Sequence, residues 1–494
     1  MIEFGQLMSD MPSFQNRGSM KVDNVIPLAK GYKSFPSFKE LTTTALTGPA
    51  VGLHTQLSAS GTTNYCGDAT KLYQMNSNIV FVDKSKAGNY NNATTENARD
   101  FWSFCQFGNR VIATNFADNI QSFVEGTSTA FADLVSLKAK YVAVIRDFVF
   151  TGYTNESGTT YSNRVKWSGI NNPTTFTPSQ TTLSDSQDLP DSGNIQGIVG
   201  GESFGVIFTD KAIFRADFIG APLVFQFSKV ADNIGAFAPK SIASVGSDIF
   251  FLSQDGFYKI TNGSQITPIS QGKISEFFFE DLSSNFDGIC SAIDTNNSLY
   301  VVSYRGSGAT GSSTINNKML VYNYATNSWS TCSGQDLDFI GTASQEAFTT
   351  LESLDVLGSL DDLPKPLDSY YYQEGVLGLA GFSSAKKFGK FMGGSMTATV
   401  DTTEFEGAEG KRSTLINARP IVDANGESTT ITVTPITRSS QADALTTGSA
   451  VTVKASGDCP LRTNSRYHRL RVIVNGNFTN MQGVDVEARP EGKR

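Results

Sequence analysis

The sequence predicts a mainly β protein: a β-propeller of six or seven blades over residues 46–395, an extended N-terminal arm over 1–45, and a small C-terminal β-sandwich-like domain over 396–494. Three observations lead there. Glycine (45) and phenylalanine (35) are plentiful while charged residues make up only 17% of the 494 residues, a balance that suits short strands joined by tight turns. A chain this long exceeds one ordinary core unless it is built of repeats. Hairpin signals then recur through the middle, with equivalent starts at Gly205, Asp248 and Ser298, a spacing that matches the ~40–50 residues of a propeller blade.

Each element follows in chain order. Residues 1–45 show little alternation and are punctuated by Pro12, Pro27 and Pro36, so they read as an arm that must lie on something else, such as a neighbouring subunit. The repeated units begin with KLYQM (71–75), GNRVIATNFADNIQSFV (108–124), and RDFVFTGY (146–153) with RVKWSGINNPTTF (164–176). In the last stretch Val165 and Trp167 share one face of a strand, and Asn172-Pro173 ends it. Trp167 therefore reads as a wedge between adjacent blades. The clearest hairpins are FGVIFTDKAIFRA (204–216), SDIFFLSQDGFYKI (247–260), where Asp255-Gly256 signals a tight turn, and the pair of runs within 298–324; GVLGLAGF (375–382) closes the series. Two stacked sandwiches are the alternative arrangement for such hairpins. Between the last units, residues 351–375 carry six carboxylates against Lys365 and read as an acidic insertion. Beyond 396, STTITVTPIT, SAVTVKA and YHRLRVIVNG alternate as sandwich strands; in the last, His468, Leu470, Val472 and Val474 share one face and Arg469 and Arg471 point outward from the other.

The same residues narrow the function. A net charge of −8 gives no basic footprint for a sequence-reading nucleic-acid binder. The five cysteines are odd in number and form no C-x-x-C spacing, which predicts buried thiols rather than a disulfide framework or a zinc site. The N-terminus lacks a basic start with an apolar core, and no apolar run approaches the ~20 residues of a membrane span, so neither export nor a membrane anchor is expected. With only His54 and His468, acid-base chemistry near neutral pH has few candidates. Carboxylates for a propeller glycosidase would come from Asp147, Asp210, Asp248, Asp255 and Glu276, most of them at turn positions where aspartate is favoured anyway. The reading is a non-enzyme without metal or cofactor. Its alternative is a carbohydrate-binding or depolymerising propeller using Tyr370, Tyr371 and Tyr372. GSGATGSS (306–313) has no lysine and lies inside a hairpin, so it reads as a turn rather than a phosphate cradle. Arg462, Arg466, Arg469 and Arg471, with Lys386, Lys387 and Lys390 as a second cluster, are the candidate contacts to phosphates or to an acidic partner surface, without reading bases.

Two stretches carry a family resemblance. NVIPLAKGYKSFPSF, with Asn24, Val25, Pro27, Gly31, Tyr32, Phe35 and Pro36, and RVKWSGINNPTTF, with Trp167, Ser168, Asn172 and Pro173, resemble segments of the packaged-DNA stabilisation proteins, the tail hub or nozzle proteins of short-tailed bacteriophages. The arginine-rich strand with Arg469 and Arg471 resembles a third, whereas residues 396–455 have no counterpart. The resemblance implies a virion tail protein made in the host cytoplasm. It implies a homo-oligomer, a hexameric ring, that binds the portal-adaptor ring and helps retain the genome. Double-stranded DNA would pass through it without sequence-specific binding, and tail fibre, spike or needle proteins would attach distally. A conduit of this kind should hold few firm phosphate contacts, since several would give the salt-dependent affinity that retards passage.

Overall fold

A computed structural model describes residues 1–13, 16–58, 61–91, 101–283, 286, 288–310, 315–344, 377–424 and 429–491. The acidic stretch at 351–375, the three tyrosines within it and part of the 306–313 loop lie outside them. The described chain is mainly β, with several four-stranded antiparallel sheets, compatible with a β-propeller-like fold.

Five of these sheets follow one another along the chain, spanning residues 52–83, 103–135, 138–188, 195–232 and 243–268, each a simple up-and-down succession of strands. The hairpins legible in the sequence are their inner pairs: Phe204–Thr209 with Ala212–Gly220, and Asp248–Ser253 with Gly256–Thr261. In the second of these the tight loop falls at Gln254-Asp255, and Gly256 is already the first paired residue. The first strands meet one another in sequence: Gly52–Ser58 lies against Ser103–Phe107, which lies against Lys138–Ile145, which lies against Ile195–Val199. Gly197 continues the series, because a Cβ there would strike Ile242 beside the fifth sheet.

The strand Ser328–Ser344 does two jobs. Its first half completes a sheet with Cys290–Asp294, Leu299–Tyr304 and Asn316–Asn323, and its second half starts another with Leu377–Ser383 and Phe388–Ser395. Gly334, at φ +84, sits in the irregularity just before the partner changes at Leu337, a backbone conformation that glycine adopts without steric cost. The fourth strand of that last sheet is Pro36–Glu40, from the other end of the chain, and its first strand packs on Gly52–Ser58, with Leu53 against Gly341.

The N-terminal residues are therefore woven into their own chain, which corrects the expectation of an arm reaching a neighbour. Val22–Asp23 pairs with Ser328–Ser344 on one side and Ala398–Asp401 on the other, fusing the two regions into one 14-stranded sheet. Val25–Pro27, Tyr32–Ser34 and Ile2–Glu3 join Phe478–Pro490, Ser413–Ala424 and Cys459–Ser465 in a second sheet. The carboxylate of Asp10 accepts hydrogen bonds from the Glu276 and Phe277 amides at 3.1 and 2.9 Å, at the start of the helix Ser275–Asp281. Strands of two or three residues are too short to show alternation, so this pairing leaves no periodic signal.

The sandwich accordingly is not purely C-terminal. Its two sheets enclose Val25, Tyr32, Leu415, Met481 and Val484 on one side and Val22, Val400, Val433, Leu470 and Val472 on the other, and this core runs on into Phe250, Tyr300 and Trp329. All five cysteines are buried, and none of them forms a disulfide among the described residues.

Candidate functional site

The strand Tyr467–Asn475 runs between Ala398–Asp401 and Thr430–Arg438, and its alternation sends His468, Leu470, Val472 and Val474 into the core. Its other face is covered as well. The Arg471 guanidinium forks onto Asp401 at 2.7 and 2.9 Å, with Asp401 only 1% exposed. Arg469, 5% exposed, donates to the Ser13 hydroxyl at 2.9 Å, and its Nε has no partner among the described residues. Burial pulls the Arg469 pKa down, and the nearby Asp401 and Glu404 oppose that shift. Beside it Arg438 pairs with the buried Glu404. The outward arginines expected from the pattern are thus internal at Arg469 and largely committed at Arg471. Alternation separates the two faces of a strand but does not reveal that a distant segment covers the polar one.

Arg466 pairs with Glu406 at 3.2 Å and lies over the Tyr467 ring, and Arg462 is exposed with a left-handed backbone at φ +51. The lysine cluster is also absorbed by local structure. Lys386 donates to the Thr47 carbonyl at 3.2 Å, Lys387 pairs with Glu40 at 3.4 Å, and the buried Lys390 donates to the Ser344 carbonyl at 2.7 Å. These three fasten the hairpin Leu377–Ser383/Phe388–Ser395 to residues 40–47 and to the end of the preceding strand. They do not form a free basic patch with the arginines.

The residues that carried the family resemblance sit at joints. Gly31 turns the chain at φ +84, where a Cβ would stand 2.4 Å from the Met481 carbonyl oxygen. Tyr32 donates to the Gly5 carbonyl at 2.6 Å, Phe35 meets Phe391 edge-on at 5.7 Å, and Pro36 opens the strand that completes the last sheet. Trp167 is 2% exposed between the third and fourth sheets, stacked on Phe150 at 5.6 Å and edge-on to Phe225 at 5.5 Å, with its indole N–H donated to the Leu183 carbonyl. Ser168 ties the same corner by accepting from the Val149 amide at 2.9 Å. The exposed Asn172 accepts from the Thr174 amide and hydroxyl around Pro173.

The five candidate carboxylates are scattered over separate turns. Asp210 accepts from the Asn194 amide, Asp248 holds Thr261 and Lys259, Asp255 accepts from Tyr258, Asp147 meets Arg146, and Glu276 lies in the first turn of the helix. The four aspartates are each engaged locally, as turn carboxylates are, and Glu276 is exposed. Among the described residues no cluster of three or more His, Cys, Asp or Glu side chains is arranged to hold a metal ion. No helix among them is long and apolar enough to cross a membrane.

What the sequence did not disclose is a pair of adjoining cavities lined by the first strands of the sheets. One, of about 410 Å³, is walled by Leu53, His54, Lys240, Ile242 and Ile340, and the other, of about 420 Å³, by Phe104, Val142, Ile198 and Gly200; Ser244 borders both. Lys240, just before the fifth sheet, donates to the carbonyl of Trp102, just before the second, at 2.8 Å, and its ammonium lies 5.3 Å from the Phe101 ring centre. Burial lowers its pKa to about 8. His54 stacks on Phe104 at 5.9 Å with Nε2 unpartnered, and burial lowers its pKa to about 4. A single lysine in AFAPKSIA carries no signal that would have marked it. No protein-family model matches the chain, and no curated protein matches it either.

Proposed function

We propose that the chain is a structural subunit of a short-tailed phage tail, a nozzle or hub protein. In this reading its sheets form a seven-bladed β-propeller, with Pro36–Glu40 closing the last blade against Leu377–Ser383 and Phe388–Ser395. Copies of the subunit make a ring, a hexamer, below the portal and adaptor. The ring extends the DNA channel, helps retain the packaged genome and offers attachment to fibre, spike or needle proteins. The observation that carries the reading is the position of the resembling segments. Residues 22–40 thread two sheets of the sandwich and then the last blade, and Trp167 locks two sheets together, so the residues shared with that family hold the body of the protein in one piece. A subunit that must resist the pressure of a packaged genome needs such joints more than it needs a reactive cleft.

The reading gains detail from the cavities. At about 410 and 420 Å³ they cannot admit a duplex, whose major groove alone is about 12 Å wide. The DNA path therefore runs between subunits rather than through the centre of one. The ring contacts are sought on outer surfaces, since the N-terminal residues are spent on internal pairing. Mixing the purified protein with a portal-adaptor complex, followed by negative-stain imaging and mass measurement, should show a ring of about six copies, the closed homo-oligomer expected of such a subunit. A monomer that ignores that complex would overturn the assignment.

A further inference from the structure

Lys240 stands in the wall of the 410 Å³ cavity, and among the described residues no carboxylate pairs with it there. The described residues that line the cavity include no acidic side chain. One of its three N–H bonds goes to the Trp102 carbonyl and the ammonium faces the Phe101 ring, while the other ionisable group acting on it is the Cys290 thiol. Half-buried against hydrocarbon, the ammonium is only partly hydrated and gains from an anionic partner.

The remaining wall limits what that partner can be. Thr55 donates to Asn64 Oδ1 at 2.7 Å, Ser291 to the Lys240 carbonyl at 2.8 Å and Thr342 to the Ile293 carbonyl at 3.0 Å, so these hydroxyl protons are already used, and the other polar side chains of the described wall are Ser244 and His54. Leu53, Leu57, Ile242, Phe339 and Ile340 supply hydrocarbon. A phosphate or sulfate needs donors on every side and would lose more hydration than this wall returns. A neutral apolar molecule would leave the ammonium unpaired. An anion concentrated at one end of a hydrocarbon body satisfies both demands, and the volume falls in the range of small-molecule pockets.

We propose that this cavity binds a small organic monocarboxylate, its carboxylate on Lys240 Nζ and its apolar body against Leu53, Ile242, Phe339 and Ile340. The inference stands apart from the tail assignment, because it concerns the centre of one chain and needs no assembly.

Hexanoate, hexan-1-ol and inorganic phosphate serve as probes, titrated calorimetrically into the full-length protein, with histidine ring resonances followed by NMR. The chain has only two histidines, so His54 is assignable against His468. Hexanoate should saturate one site and shift the His54 signal but not that of His468. Hexanol and phosphate should bind at least about tenfold more weakly, and Lys240→Met should weaken hexanoate by about tenfold or more, the worth of a charge-assisted hydrogen bond. If hexanoate fails to saturate, binds no better than hexanol, or binds Lys240→Met as well as wild type, the proposal is wrong and Lys240 is only a strut to Trp102. Should Lys240→Met not fold, the wild-type comparison of hexanoate with hexanol decides by itself.

Discussion

The seam around Trp167 and the polar face around Arg471 join comparable elements by opposite means. At Trp167 the third and fourth sheets meet through Phe150, Phe225 and Phe227, with one indole hydrogen bond as the only polar anchor of that ring. At Arg471 the sandwich gathers three guanidiniums, from Arg438, Arg469 and Arg471, around Asp401 and Glu404. Aromatic burial is favourable wherever the rings meet and tolerates small displacements. A buried fork between arginine and aspartate returns little net stability but is severely penalised when one partner is missing or displaced. The first seam therefore supplies stability, and the second specifies which strands lie side by side.

The N-terminal residues serve both regions, so removing them should have the largest effect. Deleting residues 1–40 withdraws Val22, Val25, Tyr32 and Phe35 from buried positions and strips a strand from the last sheet. At about 1.5–3 kcal/mol for each large side chain, that loss is comparable to the ~5–15 kcal/mol stability of a typical domain. Circular dichroism should show no cooperative melt. A deletion protein that melts normally would restore the reading of these residues as an arm that lies on a neighbouring subunit.

Breaking each seam separately sharpens the contrast. Trp167→Ala should cost about 3–5 kcal/mol in urea unfolding, with little dependence on pH between 5 and 8, since no titratable group is removed. Asp401→Ala should cost about 3 kcal/mol by leaving Arg471 without its partner, and replacing both Asp401 and Arg471 by leucine should recover most of that loss. If the double variant is no better than the single one, the charges contribute stability after all.

Acid should act through the two histidines, His54 in the first sheet beside the cavity and His468 in the sandwich. Burial lowers the pKa of His54 to about 4, and burial likewise lowers that of His468, which exchanges a hydrogen bond with the Ser413 hydroxyl at 2.9 Å. The unfolded chain takes up these protons near pH ~6.5. Stability is then complete above that value and falls as pH drops, for His54 down to about 4 where the folded form also protonates. Unfolding measured from pH 7 to 4 should flatten in part in His54→Gln and in part in His468→Gln; a slope unchanged by both would refute the assignment. The smallest effect is expected at the rim, where Arg466→Ala removes an exposed pair with Glu406 and should change stability by about 0–1 kcal/mol.

Much of the fold was legible because its signals are local. The hairpins at 204–216 and 247–260 could be read from alternation and turn residues alone, and the burial of Trp167 followed from its place on an apolar face. The candidate site was less legible. Arginine spacing on Tyr467–Asn475 identified which side chains share a face, but Ser13 arrives there from more than four hundred residues away. Lys240 and His54 come together only because separate first strands converge on one cavity.

By itself, then, the sequence determined strands, turns, the apolar face of each strand and the burial of the thiols, because these depend on neighbours within a few residues. Only the tertiary structure decided that the N-terminal residues close the last sheet and supply three of the six strands of one sandwich sheet, that Arg469 turns inward while Arg471 is committed to Asp401, and that a lysine meets a carbonyl three sheets away. Those outcomes rest on contacts between distant parts of the chain, for which hydrogen-bonding geometry and buried charge, not local periodicity, choose the partner.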